Sequence, residues 1–202
     1  MELLDEILSK ENLNKAYLQY WTICYASKIR SFLTEERFNH SLQVAHLAYK
    51  IALNNHKDVE KAYIAGIFHD IGKDVPEDEK VAIMDRSFRR YKDLPKFSFH
   101  QFVGAHIANN EFEINDESIL NAIKFHATGN SNMDWLAKIV YAADKIEPTR
   151  GYDSSDLIKA MMDDYETGFV TVLEANKEFL ENHRGNINNA LTCKCFDEYL
   201  NK

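Results

Sequence analysis

The stretch FHDIGKD, residues 68–74, sets a histidine beside a carboxylate at the end of an apolar run. Neither group is tolerated unpaired in a protein interior, so His69 and Asp70 call for a hydrogen-bonded partner, a counter-charge or a metal ion. Two more residues pose the same problem. His40 opens an apolar stripe continued by Val44, Leu47, Ala48 and Ile51, and Asp144 shares a face with Ala137, Val140 and Tyr141 in LAKIVYAADKIEP. Taken singly, a histidine on an apolar face is more often a hydrogen-bonded core residue, and Asp144 could be the buried partner of an arginine. Four such residues, near the ends of different apolar helices, are better read together. Neutral imidazoles and carboxylates suit iron, manganese or zinc better than magnesium or calcium. A set of two histidines and two aspartates also leaves coordination positions for water, as hydrolysis requires.

Helices must position these residues, because helical periodicity dominates the chain. Segment 13–33 carries Leu13, Tyr17, Tyr20, Trp21, Cys24 and Tyr25 at three- and four-residue steps, and 35–54 carries the His40 stripe. DVEKAYIAGIFHD is a third helix with Asp58 as its cap, and on it Ala62, Ala65 and Gly66 share a face with His69. These small residues let another helix or a ligand come close. Pro76 followed by Glu77, Asp78 and Glu79 marks a helix start. Further helices are expected over 100–111, 116–126, 133–146, 155–183 (in one piece or two) and 187–200. The expectation is an all-α, single-domain helical bundle, with residues 1–33 as a helical extension packed on a core of 34–202.

Composition narrows the function classes. The chain has 202 residues, 45% hydrophobic and 28% charged, with only 7 Gly and 3 Pro, which fits a helical globular protein. Its net charge is −8 and its longest basic run is the pair at 89–90, which argues against binding duplex nucleic acid. No apolar run approaches a membrane span, and MELLDEILSK lacks the basic and apolar regions of a signal peptide, so the expected location is cytoplasmic with no membrane partner. Cys24, Cys193 and Cys195 neither form a disulfide framework nor complete a zinc site. An anionic substrate must be held by local cations, since the overall charge repels it.

His40, the doublet His69-Asp70 and the distant Asp144 have the order and character of the HD-domain metal-dependent phosphohydrolases. Residues 126–152, HATGNSNMDWLAKIVYAADKIEPTRGY, resemble the HTxG…NM…K…AD.IEP.R block of the YqeK family within them. Those enzymes hydrolyse diadenosine tetraphosphate symmetrically to two ADP. The likeness runs from about Arg37 to the last helices and includes His100 and the GA at 104–105. The chain departs from the family at Ile71, where an aromatic residue is usual, at Gln101-Phe102 in place of Gly-Pro, at Ala127 in place of threonine, and in its longer N-terminus. HDIGK also occurs in cyclic-dinucleotide phosphodiesterases, but their GYP motif is absent here.

The resemblance implies that His40, His69, Asp70 and Asp144 bind the metal, a divalent or trivalent transition ion, iron first and manganese second, as one ion or two. It implies that His100 and His126 line the same pocket, either ligating a second ion or contacting phosphate. Asp70 would bridge two ions or orient the attacking water, and His100 or His126 would serve the departing phosphate oxygen. Lys73, one turn beyond Asp70, and Arg150, just past Asp144, are the cations for the phosphates. Thr128, Gly129 and Asn130 look like a loop whose backbone can approach a nucleotide. His46, His56, His106 and His183 are read as structural. The expected substrate is a dinucleoside tetraphosphate, with ADP as product; a homodimer is left open. Two alternatives stand: an HD-type nucleotidase or nucleoside triphosphate hydrolase with another substrate, and a non-catalytic nucleotide-binding regulator.

Overall fold

The computed structural model describes residues 25–184 and 189–201. Among these, nine α-helices follow a short helical segment at 25–30, and there is no strand. They are α1 (Glu35–Asn54), α2 (Val59–Phe68), α3 (Glu77–Ser87), α4 (Phe99–Phe112), α5 (Glu117–Phe125), α6 (Trp135–Ile146), α7 (Ser155–Asp163), α8 (Tyr165–Arg184) and α9 (Ala190–Leu200). Three single 3₁₀ turns, Arg89–Tyr91, Lys96–Ser98 and Pro148–Arg150, interrupt the loops. Leu13, Tyr17, Tyr20, Trp21 and Cys24 of the expected 13–33 helix lie outside the described residues. Residues 25–33 pack Ile29 and Leu33 into the core and set the Tyr25 and Phe32 rings 5.8 and 5.9 Å from Phe112.

Local chemistry sets most helix starts. Asp58, Asp116 and Asp134 each turn a carboxylate onto free backbone N–H groups at the head of α2, α5 and α6, and the Thr34 hydroxyl accepts from the Arg37 N–H at the head of α1. Pro76 precedes α3, with three acids in its first turn. The 155–183 segment is two helices. Asp164 leaves the helical region at φ −158° and ψ 117°, and its carboxylate accepts from the Thr167 N–H at 2.8 Å to start α8. The bend is tight enough that a Cβ on Gly168 would come within 2.6 Å of the Met161 nitrogen of α7.

Helix α6 is the central pillar. It packs against α1, α2, α5, α7 and α8, and buries Leu136, Ile139, Tyr141 and Ile146 completely. Helix α2 crosses α1 so closely that a Cβ on Gly66 would stand 2.6 Å from the Ala45 Cα. This close approach of α2 to α1, with α6 behind both, carries His40, His69 and Asp144 to one place.

Candidate metal centre

His69 caps the end of α2, His126 caps the end of α5 and His100 stands in the first turn of α4. In each the imidazole Nδ1 faces the carbonyl oxygen three residues earlier: Gly66 at 2.7 Å, Ile123 at 2.8 Å and Phe97 at 2.8 Å. A nitrogen facing a carbonyl oxygen must carry the proton, so in each neutral ring the Nε2 keeps a lone pair. The His100 and His126 Nε2 atoms lie 3.2 Å apart, and each is 3.3 Å from Asp70 Oδ1. Three electron-rich atoms therefore converge with no donor among them. His69 Nε2 and Asp70 Oδ1 are fully buried and find no hydrogen-bond partner. Such an arrangement is costly unless a cation occupies it.

A second group adjoins the first. His40, His69 and Asp70 place their ligand atoms within 4.8 Å of one another, as do Asp70, His100 and His126, so that Asp70 belongs to both sets. Asp144 Oδ1 lies 3.2 Å from His40 Nε2 and 3.5 Å from His69 Nε2. These donors fit a transition ion: neutral imidazoles with Nε2 free, held by protonated Nδ1 atoms, and two ionised carboxylates.

Burial and neighbouring charges act on these groups in opposite directions. Burial is the dominant influence on His126 and lowers its pKa to about 3, and burial likewise lowers that of His100. Burial also acts on His69, but the neighbouring Asp70 and Asp144 carboxylates outweigh it and raise its pKa. Burial opposes ionisation of Asp70, yet its carboxyl is held well below the usual range, chiefly by the His69 ring beside it. Asp144 stays ionised for a parallel reason: against burial stand Lys145, whose Nζ is 2.6 Å from Oδ2, and the His40 and His69 rings.

Gly72 of the HDIGK motif decides how Asp70 reaches this centre. A Cβ there would lie 2.4 Å from the His100 carbonyl oxygen and 2.5 Å from the Gly104 nitrogen, so only glycine lets the turn after α2 seat on α4. Gln101, one of the departures from the family pattern, is fully buried. Its Oε1 accepts from the Ala127 N–H at 3.2 Å and its Nε2 donates to Thr128 Oγ1 at 3.1 Å, which ties the segment after His126 to α4.

The centre opens into a cleft of about 1240 Å³. His40, Asp70, Lys73, His100, His126, Asp144 and Arg150 line it. Lys73 Nζ lies 3.4 Å from His100 Nε2 and 3.8 Å from Asp70 Oδ1, and the Arg150 guanidinium pairs with Asp144 Oδ1. Six Lys and Arg side chains line the cleft against five acidic ones, whereas the whole chain carries 24 against 32. Thr128, Gly129 and Asn130 do not reach it. Thr128 is buried on Gln101, Gly129 uses its φ of 67° to sit against Cys195, and Asn130 lines a separate small cavity. His46, His56, His106 and His183 are not among the lining residues.

Two residues of the centre went unremarked in the sequence. Glu147 is fully buried beside Pro148 and accepts a hydrogen bond from His40 Nδ1 at 3.1 Å, which orients that ring. Lys145 neutralises Asp144 and donates to the His126 carbonyl at 3.0 Å. Their only sequence signal is their place within DKIEP. Glu147→Ala is expected to weaken metal binding about 10- to 100-fold, the usual cost of losing an outer hydrogen-bond partner of a ligating histidine. Titration with a chelator of known affinity measures it; unchanged retention would reduce Glu147 to a packing role.

The family model described as "HD domain" matches residues 37–149 of this chain. The symmetrical bis(5'-nucleosyl)-tetraphosphatase of Bacillus subtilis is 35% identical over 135 residues, covering 66% of this chain and 73% of its own. That of Staphylococcus aureus is 37% identical over 150 residues, covering 72% and 76%. A probable nicotinate-nucleotide adenylyltransferase/Ap4A hydrolase of Mycoplasma genitalium is 31% identical over 83% of this chain, which spans 48% of that longer protein. A solved structure from Clostridium acetobutylicum, described as a "predicted HD superfamily hydrolase involved in NAD metabolism", superposes with a TM-score of 0.76. It is 30% identical, with 87% of this chain and 97% of the other covered.

Proposed function

Because the chain belongs to the HD-domain family, alongside the symmetrical bis(5'-nucleosyl)-tetraphosphatases, we propose that it is a metal-dependent hydrolase of diadenosine tetraphosphate that releases two ADP. The observation that carries this reading is the convergence of unprotonated His100 and His126 Nε2 atoms on the orphaned Asp70 Oδ1 at the floor of a cation-lined cleft. His40, His69, Asp70 and Asp144 would hold the ion. His100 and His126, sharing Asp70, would hold a second. Iron or manganese suits this donor set. When bound, such an ion lowers the pKa of a coordinated water and offsets charge on the phosphates.

The chain's own residues supply the rest. Asp70 and the His40, His100 and His126 imidazoles form the floor that the phosphates would face. Lys73, beside Asp70 and His100, and Arg150, 38% exposed beside Asp144, offer N–H donors to the phosphate oxygens. Lys145, also on the cleft lining, keeps Asp144 ionised. Phosphoryl transfer needs little more than this positioning and charge neutralisation.

Turnover of a panel of dinucleoside polyphosphates and nucleoside triphosphates with iron, manganese, zinc and magnesium tests the proposal. ADP alone is expected from diadenosine tetraphosphate. Formation of AMP with ATP, or faster turnover of a nucleoside triphosphate, would transfer the activity to another HD-type hydrolase. Nucleotide binding without turnover under any metal would leave only a binding protein. Arg150→Ala is expected to keep metal and fold but lose about tenfold to a few hundredfold in kcat/KM, the range for a hydrogen bond to a charged group. Arg150→Lys should recover part of this, since an ammonium lacks the two-pronged contact. Parent-like kinetics in both would make Arg150 a partner of Asp144 alone.

A further inference from the structure

The reaction assigned to the floor of the cleft leaves its C-terminal wall without a role. Asn176, Phe179 and Leu180 of α8, with Asn189 and Thr192 at the head of α9, build that wall. Phe179 is 52% exposed, and its ring stacks on the His183 imidazole at 4.4 Å between centroids and 22° between planes. Asn189 is 3% exposed. Its Oδ1 accepts from the Leu191 N–H at 2.9 Å and the Thr192 N–H at 3.4 Å, capping α9. The cap fixes the amide, because a flipped side chain would set its NH₂ against two N–H donors. Nδ2 is thereby committed as a donor, and it is buried with no acceptor. A half-exposed aromatic ring and an unanswered amide donor on one wall ask for a flat ligand that carries acceptors in its ring.

We propose that this wall is the nucleobase subsite. A purine of the substrate stacks on Phe179 and accepts a hydrogen bond from Asn189 Nδ2 through a ring nitrogen, which leaves the attached phosphates to run toward the cations at the floor. The proposal extends the nucleotide-hydrolase reading of the same cleft. Neither residue belongs to the ligand set, so base recognition is separable from metal binding and from phosphate chemistry.

The test compares ADP with inorganic pyrophosphate, which shares the phosphates and lacks the base. Calorimetry on the metal-loaded full chain gives the ratio of the two affinities for the parent, Phe179→Ala and Asn189→Asp. The aspartate keeps the capping oxygen and replaces the donor with a charged acceptor. In each variant the preference for ADP is expected to fall about fivefold or more, the lower end of what one stacked base contributes. Using the ratio cancels any uniform effect of added charge on phosphate binding. An unchanged ratio in Phe179→Ala, or a parent that binds ADP no better than pyrophosphate, overturns the proposal. Should Asn189→Asp fail to fold, the exposed Phe179 decides alone. A parent that prefers ADP yet leaves diadenosine tetraphosphate intact would defeat the hydrolase assignment and keep the subsite.

Discussion

Asp70→Ala is expected to yield a folded helical protein that retains no metal and loses at least about a thousandfold in kcat/KM, roughly 4 kcal/mol of barrier. Asp70 alone belongs to both groups of ligand atoms, so its removal empties both together. Its Oδ1 makes no hydrogen bond that the fold depends on. His100 and His126 remain neutral and anchored through Nδ1, so the helices keep their places. Elemental analysis, circular dichroism and turnover of diadenosine tetraphosphate, run on one preparation, read all three consequences. A variant that keeps its metal and its rate would place the chemistry elsewhere.

Asp144→Asn has a different signature, because Asp144 answers a half-buried cation as well as facing the ligand cluster. Lys145 Nζ lies 2.6 Å from Asp144 Oδ2, with the Lys145 side chain 19% exposed and that of Asp144 9%. Removing one member of a fully buried pair costs about 3–5 kcal/mol. With Lys145 partly solvated, the metal-free Asp144→Asn variant should lose about 2–3 kcal/mol. It should also lose metal and most of its activity. Asp144→Asn/Lys145→Met should regain the stability, since the lysine already packs over the Tyr141 ring and a methionine can take that place. It should regain neither metal nor turnover. Denaturant unfolding of the metal-free proteins, beside metal analysis of the reloaded ones, separates the two roles. Rescue of both properties by Lys145→Met would mean that Asp144 is only the counter-charge of Lys145.

The helices and four of the converging residues are legible in the chain alone. Thr34, Asp58, Pro76, Asp116 and Asp134 act on the backbone within a few residues of themselves, so the starts of α1, α2, α3, α5 and α6 are legible without knowing what they pack against. His40, His69, Asp70 and Asp144 are conspicuous because a polar group on an apolar face is anomalous in any fold. Tertiary structure decided the rest, because it turns on which surfaces close over which. The cut at Asp164 depends on Gly168 meeting the backbone of α7, and the placing of Asp70 depends on Gly72 meeting α4. Gly129 has the backbone freedom of a ligand-binding loop, but that freedom serves a contact with Cys195, more than sixty residues away. Glu147 and Lys145 look like surface charges in sequence. Glu147 becomes a support of His40 only because α1 meets the end of α6, and Lys145 is held beside Asp144 by the His126 carbonyl at the end of α5; no local pattern records which distant element a charge will meet.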